Sequence, residues 1–381
     1  MAPNCELNLL SKAPKTIENS LEKLGQNLQH LNAKEQIQTT TSQSLNQDKP
    51  VYPFVWTPIG KEEKMKRREI YYANGPWCVS PKASMLDLIV SSPGNVLMPR
   101  TFETLAEEIY NFKLRPDDVF VVTYPKCGTT WTQEMVWQIL HGFDTDKGQE
   151  SLLTRSPFLE MQALVDTKVD KETDIKVVNS LEAANNLPSP RVIKTHLPIE
   201  MLPPNLLDTC KVVFVARNPM DCCVSFYHHE KLVPKMGFAG TFDQYAELFR
   251  NGRNPMGDYF YHLMSGWTRR DHKNLKFLWF EDMKSDLSTV LYEMCDFLGV
   301  KMTTKQVNQL EDHLHIDNFR KNNSVNMTSN YSKEKSNGSF IRSGKVGGWR
   351  QHFSDERVED WRNWIEDNTK GTGLSFSQML D

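Results

Sequence analysis

The run from Val119 to Leu140 constrains this chain more than any other segment. Val119-Phe120-Val121-Val122-Thr123 is uncharged and mostly β-branched, the pattern of a strand buried on both faces. It passes straight into Tyr124-Pro125-Lys126-Cys127-Gly128-Thr129-Thr130. From Trp131 to Leu140 the spacing turns helical, with Met135, Val136, Ile139 and Leu140 on one face and Gly142 as the stop. Strand, small-residue loop and helix N-terminus together hold phosphate-like anions. Gly128 lets the backbone approach, amide N–H groups point at the ligand, and the helix dipole attracts it. Thr129 and Thr130 add hydroxyl donors, and Lys126 adds a mobile cation. A plain strand–helix turn would also suit Gly and Thr. A Walker A loop fits poorly, because it needs Gly, four residues, then Gly-Lys-Ser/Thr, and here Lys126 precedes the glycine.

Three more strand-like runs follow, at Val192–Thr195, 212–216 and 277–280, with helical sequence between them. Short buried strands alternating with helices predict an α/β doubly wound fold with a central parallel sheet. The folded part is expected to span 51–381 as a single domain. Residues 1–50 carry no Phe, Trp or Tyr and are polar, so they bury too little apolar surface to offset their ordering entropy. Within them Ile17, Leu21, Leu24, Leu28 and Leu31 form a stripe suited to an amphipathic helix or two heptads of coiled coil. The 45 Lys and Arg against 48 Asp and Glu leave a net charge of −3, which excludes a nonspecific nucleic-acid binder. No apolar run approaches the ~18 residues of a membrane span. The start of the chain lacks a signal-peptide core. Seven cysteines without a disulfide-scaffold spacing point to reduced thiols and a cytoplasmic location.

A second cation sits at a strand end. Arg217 closes 212–216, Asn218 suits an N-cap, Pro219 the first helical position and Asp221 the first turn. Open α/β sheets bind ligands at the C-terminal ends of their strands, and Arg matches phosphate bidentately. Arg217 alone could equally be half of a structural ion pair. His196, ending Arg191-Val192-Ile193-Lys194-Thr195, can accept a proton near neutral pH, although a lone strand-end histidine is also a common structural residue. Cys222, Cys223, His228 and His229 read as core cysteines beside a pocket histidine and not as a metal site, whose ligands normally come from separated pairs. Near the C-terminus, Phe340-Ile341-Arg342-Ser343-Gly344-Lys345-Val346-Gly347-Gly348-Trp349 is a glycine- and cation-bearing loop, either a surface loop or a lid.

The stretch from Thr123 to Trp131 resembles the 5′-phosphosulfate loop of the cytosolic sulfotransferases, with Cys127 where the family usually has Ser. Val213-Phe214-Val215-Ala216-Arg217 through Ser225 is similar to the family's 3′-phosphate segment, and Lys194-Thr195-His196-Leu197-Pro198 to its catalytic strand. The resemblance covers about Tyr110 to Trp364. It implies the sulfotransferase fold, related to P-loop kinases, with 3′-phosphoadenosine 5′-phosphosulfate (PAPS) as co-substrate, PAP as product and no metal. His196 would then be the base, Lys126 and Lys194 would stabilise charge, and Ser225 would restrain Lys126. Donor contacts would come from Lys126, Cys127, Gly128, Thr129, Thr130, Trp131, Arg217, Ser225, Arg342 and Gly344. Ser343 replaces a lysine of the family's lid motif, Phe280 a tyrosine, and Ile316 an aromatic that stacks on adenine, with Phe319 close by.

The acceptor would be a small molecule such as a phenol, alcohol, sterol, retinoid or catecholamine. Arg155-Ser156-Pro157-Phe158-Leu159-Glu160 resembles a substrate gate, making Phe158 an acceptor contact beside His196 and His229. His229 and Glu230 stand where aromatics are usual, which implies a more polar pocket. Arg350 to Glu359 overlies the family's homodimer motif, with Ser354-Asp355 in place of its Thr-Val. Two other functions compete with sulfuryl transfer to a hydroxyl or amine. One is a lyase that sulfates an allylic alcohol and eliminates sulfate, as an insect branch does with retinol. The other is a noncatalytic binder with weakened donor contacts.

Overall fold

The computed structural model describes residues 50–71, 86–164, 179–233, 236–325, 341–342 and 344–376. The stripe expected at Ile17, Leu21, Leu24, Leu28 and Leu31 lies outside them, as does Ser343. In chain order the strands are β1 Val55–Pro58, β2 Leu88–Ser92, β3 Leu97–Pro99, β4 Val119–Thr123, β5 Val192–Thr195, β6 Lys211–Ala216 and β7 Leu275–Trp279. The helices that build the site are α1 Thr129–Leu140, α2 Pro219–Leu232, α3 Tyr259–Trp267 and α4 Thr304–Leu314.

Strands β5-β4-β6-β7 form the expected parallel sheet, in that order. Their side chains alternate between two cores. Phe120, Val122, Ile193, Val212 and Phe214 enter one; Val119, Val121, Val192, Val213 and Val215 enter the other. That alternation is the two-residue period of a strand. With both faces buried, it reads in the sequence as a continuous apolar run. All four strands end on one edge, which places Thr123, Thr195, Ala216 and Trp279 in a row.

Three boundaries and one face differ from expectation. β6 starts at Lys211, one residue earlier than read. β7 is Leu275–Trp279 and not 277–280, because its pairing with β6 runs out at Ala216↔Trp279 and Phe280 opens a short helix. α1 starts at Thr129, directly after Gly128. It is buried all round from Thr132 to Ile139, not on the single face expected, because α4 and helix Leu287–Leu298 cover the side away from the sheet. Its buried Glu134 is held by Arg155 at 2.7 Å, His313 at 2.8 Å and Gln138 at 2.9 Å. α2 begins as read, with the Asn218 side chain accepting the N–H groups of Met220 and Asp221.

A three-stranded antiparallel sheet, β1-β2-β3, was not anticipated. Its strands are too short and too mixed for a clear periodic signal, although Leu88-Ile89-Val90 carries a trace of one. The expected dimer motif has a local role here. Ser354 caps helix Asp355–Thr369, and Asp355 and Glu356 occupy its first turn, where acids suit the helix dipole.

Candidate functional site

The anion loop leaves β4 through two positive-φ residues, Lys126 at 71° and Gly128 at 99°. A side chain at Gly128 would put its Cβ 2.8 Å from Cδ2 of Phe280, so both the backbone and the space call for glycine there. Thr129 Oγ1 lies 2.6 Å from Thr123 Oγ1, tying the helix start to the strand end. Cys127 is fully buried, with its sulfur 3.7 Å from that of Cys222, whose thiol donates to the Pro125 carbonyl at 3.2 Å. The one unusual residue of the loop therefore packs beneath it. Lys126 is half-buried on the loop. Burial, with the cations Lys194 and Arg217 near it, pulls its pKa down to about 7.

His196 emerges from β5 opposite the end of β4. Its Nδ1 lies 2.8 Å from the Thr123 carbonyl oxygen and 3.3 Å from Thr123 Oγ1. A carbonyl only accepts, so Nδ1 carries the proton and Nε2 keeps its lone pair. Burial, then the charge of Lys194, holds His196 well below the usual histidine range, which keeps the ring neutral. The segment around Phe158 pairs with β5: Lys194 N–H donates to the Pro157 carbonyl and Leu159 N–H to the Lys194 carbonyl, both at 2.9 Å. That pairing sets the Phe158 ring edge-on to His196 at 5.0 Å and under the Lys194 ammonium at 4.0 Å. His196, Lys194 and Phe158 thus share one wall.

Arg217 forms the opposite wall. Its guanidinium donates to the Lys126 carbonyl at 3.1 Å and the Lys345 carbonyl at 3.0 Å, and stacks on Phe280 at 4.3 Å. Its Nε is buried with no partner among the described residues. Tyr259 of α3 donates to the Arg217 carbonyl. The glycine-bearing loop is anchored by Asp221, which accepts Gly347 N–H at 2.7 Å and Trp349 N–H at 2.9 Å. Ser225 lies one turn further along α2, half-buried on the face that carries Asp221. Arg342 is close enough to Arg217 for burial and that cation to lower its pKa.

Trp131 donates from its indole to the Leu314 carbonyl at 3.0 Å and meets Phe280 at 5.8 Å. Ile316 lies under Gly344, where an added Cβ would be 3.0 Å from Ile316 Cδ1. Phe319 is buried in the core cluster that α1 shares and against which Ile341 packs. His229 is half-buried, and burial plus Lys126 and Lys194 hold it well below its usual pKa. Glu230, read as adding polarity to the pocket, instead accepts the hydroxyls of Tyr71 at 2.9 Å and Tyr245 at 3.1 Å within the core.

Thr123, Glu160 and Asp221 were not singled out as site residues in the sequence. Asp221 was read only as a first-turn acid, and nothing local distinguished the other two. Chemically, the site offers four cations, a helix N-terminus and a neutral imidazole with an open Nε2. That set can bind a polyanion and take a proton from a second ligand. Among the described residues no helix is long and apolar enough to cross a membrane.

Residues 116–373 match the family model of the sulfotransferase domain. Human sulfotransferase 1C2 is 32% identical over 292 residues, covering 75% of this chain and 94% of that protein. The luciferin sulfotransferase of Photinus pyralis is 31% identical over 289 residues, covering 72% of this chain and 78% of that one. Among solved structures, retinol dehydratase in complex with androsterone and the inactive cofactor PAP superposes with a TM-score of 0.76 at 29% identity, covering 86% of this chain and 99% of that one.

Proposed function

The chain belongs to the sulfotransferase domain family, and from that premise we propose the following assignment of its site. The enzyme transfers a sulfuryl group from PAPS to a hydroxyl of a small-molecule acceptor. The single observation that carries the residue assignment is His196, whose Nδ1 is committed to the Thr123 carbonyl and whose Nε2 is left to take a proton.

The residues present suit the donor. Arg217 has a buried Nε without a described partner, and Lys126, Lys194, Arg217 and Arg342 crowd together as only a bound polyanion would favour. PAPS supplies a sulfuryl group on a 5′-phosphate leaving group. Lys126 and the N-terminus of α1, with Thr129 and Thr130, hold the 5′ end and balance the charge left there. Arg217, Ser225 and the lid residue Arg342 hold the 3′-phosphate, with Ser225 restraining Lys126. Trp131, Phe280 and Ile316 flank the adenine. Lys194 balances charge on the transferring group, and His196 takes the acceptor proton as the acceptor oxygen attacks. Phe158 and His229 line the acceptor pocket. The division at residue 50, into a polar extension and a sulfotransferase domain, and a cytoplasmic location belong to the same reading. The altered motif around Ser354 argues against the family's dimer.

The test is turnover of labelled PAPS with a panel of phenols, sterols, retinol and catecholamines, with products identified by mass. His196→Ala should lower transfer by at least ~100-fold while PAP still binds. Retained activity would remove His196 as the base. A second reading is supported by the likeness to retinol dehydratase over 86% of the chain. An allylic alcohol would then leave as a dehydrated product, and the same mass analysis separates the two outcomes.

A further inference from the structure

One buried carboxylate of the site has no role in the mechanism above. Glu160 is fully buried, two residues beyond Phe158 on the segment that pairs with β5. Its Oε1 accepts the backbone N–H of His196 at 2.5 Å, while Oε2 has no partner among the described residues. A buried carboxylate is costly unless donors or a cation offset it. Among the described residues no cation forms an ion pair with this one. The charge that faces it is Lys194, whose ammonium rests on the Phe158 ring and not on the carboxylate.

We propose that Glu160 is a positioning residue for sulfuryl transfer: one oxygen fixes the His196 backbone so that Nδ1 meets Thr123, and the negative charge keeps Lys194 protonated. The inference rests on the roles given to His196 and Lys194 above. Lys194 has few other sources of support. The cation nearest it from the loop is Lys126, on which Lys194, Arg217 at the β6 end and Arg342 all press as like charges. His229 of α2 and His262 of α3 are held neutral by burial. Burial pulls Lys194 down, and with Glu160 as the charge that opposes it the pKa settles at about 8. Burial raises Glu160 in turn to about 7, opposed first by the His196 N–H, then by Thr195 and the Lys194 charge, so Glu160 and Lys194 support each other's ionised forms.

The test compares single-turnover transfer from labelled PAPS to 2-naphthol across pH for the intact chain, Glu160→Gln and Glu160→Asp. The glutamine keeps an acceptor for His196 N–H and removes the charge. The aspartate keeps the charge and shortens the reach to His196. Lys194 must be protonated to act, so activity falls as pH rises through its pKa. In Glu160→Gln that fall should move about one unit toward acid, giving roughly 10-fold loss at pH about 8 and under ~3-fold at pH about 6. In Glu160→Asp the profile should keep its position and drop evenly. PAP affinity near pH 6 should be unchanged in both. A Glu160→Gln profile that keeps its position overturns the inference, as does an aspartate profile that shifts like the glutamine one. If Glu160→Gln does not fold, Glu160→Ala, which also removes the charge, takes its place with the same acid shift expected and the same result overturning the inference. If His196→Ala retains activity, the underlying reading fails instead.

Discussion

Donor binding should take up protons, and its strength should therefore fall as pH rises. In the free site Lys126 has its pKa pulled to about 7 by burial and by Lys194 and Arg217. A bound 5′-phosphate anion reverses that balance and returns Lys126 to its charged form. The group is thus raised on binding, so affinity is full below the free pKa and is lost above it. The loss follows the factor 1 + 10^(pH − pKa), which grows roughly 50-fold between pH about 7 and about 9 for a free pKa of about 7. Lys194, at about 8, titrates in the same range and repels Lys126, so the two losses overlap and do not simply multiply. The range is chosen because the phosphates of PAP, with second pKa values near ~6, are already ionised there. The assay is calorimetry of PAP binding at several pH values in buffers of differing ionisation enthalpy. Close to one proton should be taken up near pH 8. Lys126→Met should bind more weakly near pH 7 and lose no more than ~10-fold by pH 9, because Lys194 is then relieved of its neighbour. A wild-type affinity that changes less than ~3-fold over the range, or release of protons on binding, would refute the reasoning.

Four further outcomes are expected. Arg217→Lys keeps the charge but loses the fork that reaches the Lys126 and Lys345 carbonyls and the stack on Phe280; PAP affinity should fall at least ~10-fold by calorimetry. Gly128→Ala forces a Cβ to 2.8 Å from Phe280 at φ of 99°, so it should lose about 1–3 kcal/mol of stability in denaturant unfolding and weaken PAP binding as well. Asp221→Ala frees two lid N–H groups, and PAP release measured by stopped flow should speed up at least ~5-fold with the melting temperature little moved by comparison. Asp118→Asn breaks a buried ion pair with Arg191, which lies at 2.5 Å and far from the site; it should destabilise by about 3–5 kcal/mol while the surviving folded protein keeps its PAP affinity.

The strands β4 and β5, the Asn218 cap of α2, and the loop between Thr123 and Thr129 were legible because their signals are local. A buried strand shows as an apolar run, and a cap shows as Asn before Pro. The β1–β3 sheet was not legible, because short antiparallel strands gain their identity from cross-strand partners distant in sequence. Glu230 misled for the same reason. Its place in the family resemblance suggested a pocket, and only the approach of Tyr71 and Tyr245 turns it into the core.

The chemical inventory of this protein was determined by its sequence: a lysine-bearing anion loop on a helix N-terminus, an arginine and a histidine at strand ends, and a glycine lid. These are properties of neighbouring residues and survive without knowledge of the fold. Tertiary structure alone decided their electrostatics. The order β5-β4-β6-β7 sets Thr123 beside His196 and so assigns its proton to Nδ1. It also gathers Lys126, Lys194 and Arg217 into one space, where burial and the other two cations lower the pKa of Lys126 until an anion arrives. Protonation depends on what lies within a few ångströms in space, and chain order does not record that distance.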